Sequence, residues 1–384
     1  MRRLVLLLSA IVAVDIMFFT ALAPLLPHFA ARYGLSKGGA GILSAMYAAG
    51  VLAASLPGGI AASRLGAKPA ALGGVVLTAA ASLAFGLAGN AWILGAARLL
   101  QGVGSAFSWS GALAWLGAAA PRERRGELIG TTMGAAASGA LLGPVLGSIA
   151  SAAGVRSTFL GVSALGLVLA AWILATPGEP AHPQPLSALR RANREVAGGM
   201  ALVALPAVLY GVVTVLVPLK LHRLGWGGIA IGALFLTGAA LETVVNPLLG
   251  RFADRRGILL PVRVALAASI AISLALAWSG TAALVAVLLL AAAVAYNAFY
   301  TPGMALISSG ADRGGIALGL AFGAMNGVWA AGNVVGPALG GALGQAAGDA
   351  LPYLLLAAVC LLSLVATVPA APAYLQPKSR PRSP

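Results

Sequence analysis

The stretch Gly59–Lys68, GIAASRLGAK, is a short basic turn between two long apolar runs, and the chain carries a second version of it at Gly250–Gly257, GRFADRRG. The glycines that open the two are 191 residues apart, half of the 384-residue chain. A second landmark recurs nearly in register. Gly143-Pro144 with Gly147 returns as Gly336-Pro337 with Gly340, at an offset of 193. One glycine-rich match arises by chance; two at nearly one offset indicate an internal duplication. The chain reads as two copies of one apolar half.

Composition places those halves in a membrane. The chain is 60% hydrophobic and 9% charged, with a mean hydropathy of +0.96. A water-soluble core does not need that much apolar sequence. Apolar runs of about 20 residues, the length that crosses a bilayer, recur from end to end. The net charge of +15 would suit nucleic acid, but the basic residues sit in short turns between apolar runs, as cytoplasmic loops do. The single cysteine, Cys360, excludes an intrachain disulfide.

The expected fold is an all-α membrane protein of twelve transmembrane helices in two six-helix, pseudo-symmetric halves. The halves are residues 1–175 and 196–368, joined by a polar, proline-rich cytoplasmic linker at 176–195 and followed by a basic tail at 369–384. The expected spans are 4–29, 38–62, 69–87, 91–117, 128–150 and 158–175, then 196–219, 229–249, 259–278, 281–307, 315–340 and 351–368. The linker has room for a short surface helix over 186–194. The basic start and Ala21-Leu22-Ala23 imitate a signal peptide, but Asp15 amid the apolar run and the length of that run favour a retained span. With both termini inside, 18 of the 24 lysines and arginines are cytoplasmic. Arg32, Lys37, Arg156, Lys220 and Arg223 are outside, and Arg98 lies within a span. An odd number of spans would put one half's basic turns outside, so the bias favours an even count.

Ionisable groups in a bilayer are costly and usually face a cavity or a partner. Asp15 is eleven residues into the first span, roughly 16 Å at the helical rise and close to mid-membrane. Glu242 is near the middle of the eighth span, where the repeat would place Val51 in the first half, so the halves are not chemically equivalent. Arg98, in the fourth span, is the natural partner of a carboxylate. The plain alternatives are a fixed Arg98–Asp15 pair and a Glu242 that snorkels or bonds Asn246. The sharper reading makes Asp15, Arg98 and Glu242 the proton-coupling set. Candidate cavity residues are Tyr47, Gln101, Trp109, Tyr210, Asn246, Asn297, Tyr300, Asn326, Trp329 and Asn333. Carboxylates with aromatics suit an organic cation or an amphipathic molecule. Glycine spacings give flat faces for helix contact, and Pro144 and Pro337 are expected to bend their spans.

These motifs together resemble the major facilitator superfamily of transporters, in its drug:proton antiporter branch. Gly59, Arg64, Gly66 and Lys68 match that superfamily's loop signature between helices two and three, and Gly250, Asp254, Arg255 and Gly257 match its weaker echo. Arg98–Gly104, RLLQGVG, resembles the helix-four motif associated with proton transfer. Gly139 with GPVLG at 143–147 resembles the helix-five antiporter motif. Asp15–Pro27, DIMFFTALAPLLP, resembles helix one of vesicular monoamine transporters and their bacterial multidrug efflux relatives, where the aspartate is a cation or proton site. The chain departs from the pattern at Ser63, where the loop signature carries an acid, and at Ser148, where the helix-five signature carries glycine.

The resemblance implies proton-coupled export of small organic molecules by alternating access, in the cytoplasmic membrane of a prokaryote. The alternative is a sugar, amino-acid or other metabolite permease of the same fold. Gating would fall to Gly59, Ser63, Arg64, Gly66, Lys68, Gly143, Pro144, Gly250, Asp254, Arg255, Gly336 and Pro337. The expected partners are a small-molecule substrate, protons and the lipid bilayer, with no nucleic acid, cofactor or metal, and the expected state is monomeric. A membrane enzyme is disfavoured because the sequence offers no metal-ligand cluster, paired carboxylates or activated nucleophile at either membrane face. A scaffold or receptor is disfavoured by charges deep in both halves.

Overall fold

The structure, a computed structural model, describes residues 1–120, 125–178, 190–316 and 318–367, with side chains described at all of these but 117, 125–127, 129, 130, 133, 246–256, 318, 319 and 322. Fourteen helices are described: α1 Arg2–Thr20, α2 Leu22–Tyr33, α3 Lys37–Arg64, α4 Ala67–Gly86, α5 Ala91–Ala119, α6 Arg125–Ala153, α7 Val155–Ala175, α8 Arg194–Arg223, α9 Gly228–Arg256, α10 Leu259–Trp278, α11 Ala282–Asn297, α12 Tyr300–Gly314, α13 Leu318–Ala347 and α14 Ala350–Ala366. The pairs α1/α2 and α11/α12 each form one crossing, Arg2–Tyr33 and Ala282–Gly314, which makes twelve. Nine stretches among the described residues are long and apolar enough to span a membrane outright. The glycine-rich α5 and α13, and the 17-residue apolar α14, complete the set.

One expectation changes, that of the basic turn. Helix α3 runs on through Arg64, and α9 through Arg256, so most of each quoted stretch is helix. One glycine at positive φ suffices for each reversal, Gly66 at 106° and Gly257 at 79°, a region that only glycine enters without penalty. Helices α6 and α13 continue through Pro144 and Pro337. The chain breaks at Ala21 and at Ala298–Phe299, shortly before Pro24 and Pro302. Each proline withholds the amide that would bond the carbonyl four residues back, that of Thr20 or Ala298. At the first break the Thr20 hydroxyl also bonds back to the Ile16 carbonyl at 3.0 Å, which weakens the same turn.

Helix pairing repeats between α1–α7 and α8–α14. Helix α1 packs on α6 as α8 packs on α13, and α4 on α7 as α10 on α14. Between the two sets, α3 packs on α13 and α6 on α9. Both crossings are made by a proline carbonyl lying against a glycine of the other set, Pro337 against Gly41 and Pro144 against Gly232. Without Cβ atoms the backbones approach closely.

The crossings lie at one end of the bundle. There the Lys37 ammonium bonds the Asp349 carboxylate and, at 3.2 Å, the Gly344 carbonyl. Arg223 reaches the other Asp349 oxygen at 2.7 Å, and Gly38 N–H donates to Gln345 at 3.0 Å. Toward the opposite end, which carries Arg64, a Cβ at Gly59 of α3, or at Gly323 or Gly327 of α13, would meet no described atom within 4 Å. The halves are latched at the Asp349 end.

Burial alone would raise the Asp349 carboxyl, but its bonds to Lys37 and Arg223 outweigh that and hold it below the ordinary carboxylate value. Its contribution is therefore constant above the ordinary carboxylate pKa and is lost only as pH falls through the depressed value. Lys37→Ala removes the ion pair between the halves. A partly exposed pair of this kind contributes about 1 kcal/mol, so the population open at the Asp349 end should rise about fivefold. Distances between spin labels on α3 and α13 at that end would show the shift at pH 7. An unchanged distance distribution would remove the latch.

Candidate functional site

Asp15 is 4% exposed, in the last turns of α1. Its Oδ2 accepts three hydrogen bonds, from the Tyr47 hydroxyl at 3.0 Å, the Ser105 hydroxyl at 2.7 Å and the Trp109 indole N–H at 2.7 Å. Ser105 and Trp109 lie one turn apart on α5, and Tyr47 comes from α3. Helices α3 and α5 approach closely because Gly50 and Gly102 face each other's backbones. Three donors on one oxygen compensate a carboxyl group removed from bulk solvent.

Arg98 does not pair with Asp15, contrary to the simplest reading of the sequence. Its Nη1 donates to the Phe18 carbonyl at 3.0 Å and to Gln101 at 3.2 Å, and its Nη2 to the Phe19 carbonyl at 3.4 Å. These carbonyls belong to the last turn of α1, where helix acceptors lack internal partners and a cation is favoured. The guanidinium also stacks over the Tyr47 ring, 4.9 Å from its centroid. Tyr47 thus stands between acid and base, touching both. Gln101, expected in the cavity, is fully buried and spans from Arg98 to Ser82 at 3.1 Å.

A second carboxyl sits in the other half. Glu242 of α9 accepts from the Tyr210 hydroxyl of α8 at 2.7 Å, while the Asn297 amide of α11 bonds back to the Ala293 carbonyl at 3.0 Å. Each half therefore joins an acid on one of its first two spans to a tyrosine on the other, 32 residues apart in both cases. The roles are exchanged: acid then tyrosine in the first half, tyrosine then acid in the second. The pairs are also out of register. Gly143 packs on the Met17 carbonyl and Gly336 on that of Val208, which aligns Tyr210 with Phe19 and not with Asp15.

Aromatic rings join the two carboxyl sites. Phe19 lies 5.3 Å from Tyr47 and 5.1 Å from Trp329 of α13, and Trp329 and Tyr300 pack against one cluster with Val203 and Ile307. Glu242, Tyr210, Asn297, Tyr300, Asn326 and Trp329 are all half-buried, whereas Asp15 and Tyr47 are buried. Asn333 is 7% exposed and bonds back to the Trp329 carbonyl at 3.0 Å, so its amide is occupied within its own helix.

The expected gating residues divide. Gly143 and Gly336 hold α6 on α1 and α13 on α8, and Pro144 and Pro337 make the crossings. Lys68 bonds the Leu174 and Thr176 carbonyls at 2.9 and 2.7 Å, closing the end of α7 within its own half. Ser63 bonds back to the Ile60 carbonyl at 3.0 Å, and Arg64 is exposed. Gly59 borders open space and Gly66 makes the turn. Asn246, Gly250, Asp254 and Arg255 are on the α9 backbone, outside the described side chains. Residues 121–124, 179–189 and 368–384 lie outside the described residues, and with them most of the linker and the tail.

Sequence reasoning missed Ser105, Phe19 and the Lys37–Asp349 latch. Ser105 was available as the residue two turns from Arg98 and one from Trp109 on the same helical face. The latch joins residues 312 apart and leaves no local signal.

The family model for the Major Facilitator Superfamily matches residues 8–325. Comparison with curated proteins finds no match. Among solved structures, a D-xylose–proton symporter is similar at TM-score 0.75 and 16% identity, covering 97% of each chain. A bacterial homologue of the human lysosomal transporter Spinster, in an inward-facing and unoccupied conformation, is similar at TM-score 0.74 and 16% identity, covering 95% of this chain and 86% of that one. The human organic anion transporter TETRAN is similar at TM-score 0.69 and 18% identity, covering 95% and 98%. At these identities the likeness is one of fold.

Proposed function

We propose that this chain, which belongs to the Major Facilitator Superfamily of membrane transporters, exchanges protons for a small organic cation or amphipathic molecule and exports it by alternating access. The observation that carries this is the pair of membrane-embedded carboxyls, one in each half, each bonded by a tyrosine of another helix, with aromatic rings between them. Arg98 is engaged by the α1 carbonyls, so neither carboxyl has a described cation bonded to it. A cationic solute would supply the missing charge, and aromatic faces would bind its body.

The two acids divide the work. Glu242 is half-buried, bonded by Tyr210, and meets the solute. Asp15 is enclosed and carries the proton. The basic bias of the loops sets the Arg64 end toward the cytoplasm, with the Lys37–Asp349 latch on the outer side. Substrate enters between the halves, the halves rock, and the latch opens to release it.

Transport in proteoliposomes under an imposed pH gradient tests this, with tetraphenylphosphonium as a cationic probe and D-xylose as a neutral one. The cation should move uphill and stop when an ionophore collapses the gradient. Uphill movement of the sugar with none of the cation would reject the proposal in favour of a metabolite permease. Glu242→Gln should weaken tetraphenylphosphonium binding about tenfold, the loss of about 1.4 kcal/mol of charge interaction, as read by calorimetry. Unchanged affinity would take Glu242 out of the substrate site.

A further inference from the structure

Asp15 also faces away from the junction of the halves. All three of its hydrogen bonds fall on Oδ2, and Oδ1 is buried with no hydrogen-bond partner among the described residues. The same holds for the hydroxyl of Thr78 on α4, a residue 6% exposed. Both residues line one small cavity inside the first half, bounded by Val14 of α1, Val75 of α4, Ser108 of α5 and Gly166 of α7. Its volume is about 20 Å³, and one water needs about 10–15 Å³ and two to four polar partners. Asp15 Oδ1, Thr78 Oγ1 and the free lone pairs of the Ser108 hydroxyl supply three. Ser108 spends its own proton on the Ser105 carbonyl, 3.0 Å away, so it accepts. The helices around it pack closely: a Cβ on Gly104 would overlap the Thr78 hydroxyl, and one on Gly166 would press on Ala79.

We propose that this cavity is a water-binding site that bridges Asp15 to Thr78 and gives Asp15 its proton from within the first half, apart from the path of the substrate. This rests on the reading of Asp15 as the proton carrier. The geometry separates two faces of one carboxyl. Oδ2 is tied through Tyr47 to Phe19, Trp329 and the junction of the halves, while Oδ1 belongs to the bundle interior. The charged and titratable groups around Asp15 are Tyr47 from α3 and Arg98 from α5, both on the Oδ2 side. Helices α4 and α7 bring no ionisable side chain to the cavity. A proton arriving through the water need not cross the aromatic layer or displace the cation.

Thr78→Val removes the hydroxyl and keeps the shape, and Thr78→Ser restores a hydroxyl. The first readout is the carbonyl stretch of protonated Asp15 by infrared difference spectroscopy, assigned by its loss in Asp15→Asn. The second is proton uptake by the purified protein after a pH jump, taking the component that Asp15→Asn abolishes. The band should move in Thr78→Val and return in Thr78→Ser, and proton uptake should slow about tenfold in the valine variant alone. An unmoved band would overturn the water site. A moved band with unchanged uptake would overturn the proton route. Gradient-driven transport that survives Asp15→Asn is a separate failure, of the Asp15 reading itself, and the infrared band distinguishes the two.

Discussion

Asp15→Asn is expected to leave the protein folded and inserted, yet to reduce gradient-driven transport to the background of protein-free vesicles. The structural cost is small for a definite reason. Tyr47, Ser105 and Trp109 all donate to one oxygen, and the asparagine carbonyl accepts the same three bonds. The asparagine amide then replaces Oδ1, an atom without a described partner. No ion pair is lost either, because Arg98 is bonded to the Phe18 and Phe19 carbonyls. What disappears is the ability to gain and lose a proton. An ionised carboxyl at a helix centre costs on the order of 3 kcal/mol on the insertion scale, so a structural position would do better with an apolar residue. The thermal midpoint should stay within about 4 °C of the parent, the scale of about 1 kcal/mol or less. Uphill transport of tetraphenylphosphonium should vanish while its downhill exchange persists. Full uphill transport by the asparagine variant would move the proton-carrying role to Glu242.

Gly102→Val should be more damaging to the fold than any change at the acids. Helices α3 and α5 meet backbone to backbone there. A Cβ on Gly102 would overlap the Tyr47 carbonyl and stand 3.0 Å from the Val51 nitrogen, and Gly50 meets the Leu99 carbonyl in the reciprocal way. The obstacles are main-chain atoms, so no rotamer change relieves them. Separating the helices would draw Tyr47 away from Ser105 and Trp109, which must converge on one Asp15 oxygen. Overpacking of this kind costs about 3 kcal/mol. The variant should either fail to appear as a monodisperse peak in detergent or melt at least about 6 °C lower, with transport lost in both cases. Gly102→Ala should lie between. A valine variant with the parent's melting curve and transport would show that the α3–α5 contact is slack.

Much of the fold was legible from the residues. An apolar run in a bilayer must satisfy its own backbone hydrogen bonds, so each run of about 20 residues becomes a helix whatever its neighbours do. That is why 259–278 appears as α10, Leu259–Trp278, and why twelve crossings could be counted in advance. The duplication was visible because the glycine-proline pairs of α6 and α13 meet the same packing demand twice. Asp15, Arg98 and Glu242 stood out because buried charge is rare in a membrane, whatever it contacts.

What those three residues contact was decided only by the assembled helices. The sequence offered Arg98 to Asp15; the folded chain gives it to two carbonyls at the end of α1, because the break at Ala21 leaves acceptors that a guanidinium satisfies better than water can reach. Tyr47 and Tyr210 became partners of the acids through the packing of α1 and α3 on α5 and of α8 against α9. Local sequence fixes periodicity along a helix but not the rotation and depth at which two helices meet. The latch of Lys37 on Asp349 and the cavity between Asp15 and Thr78 arise at such meetings. A span is specified by what its residues avoid, which is water, and a site by what its residues find, which is one another.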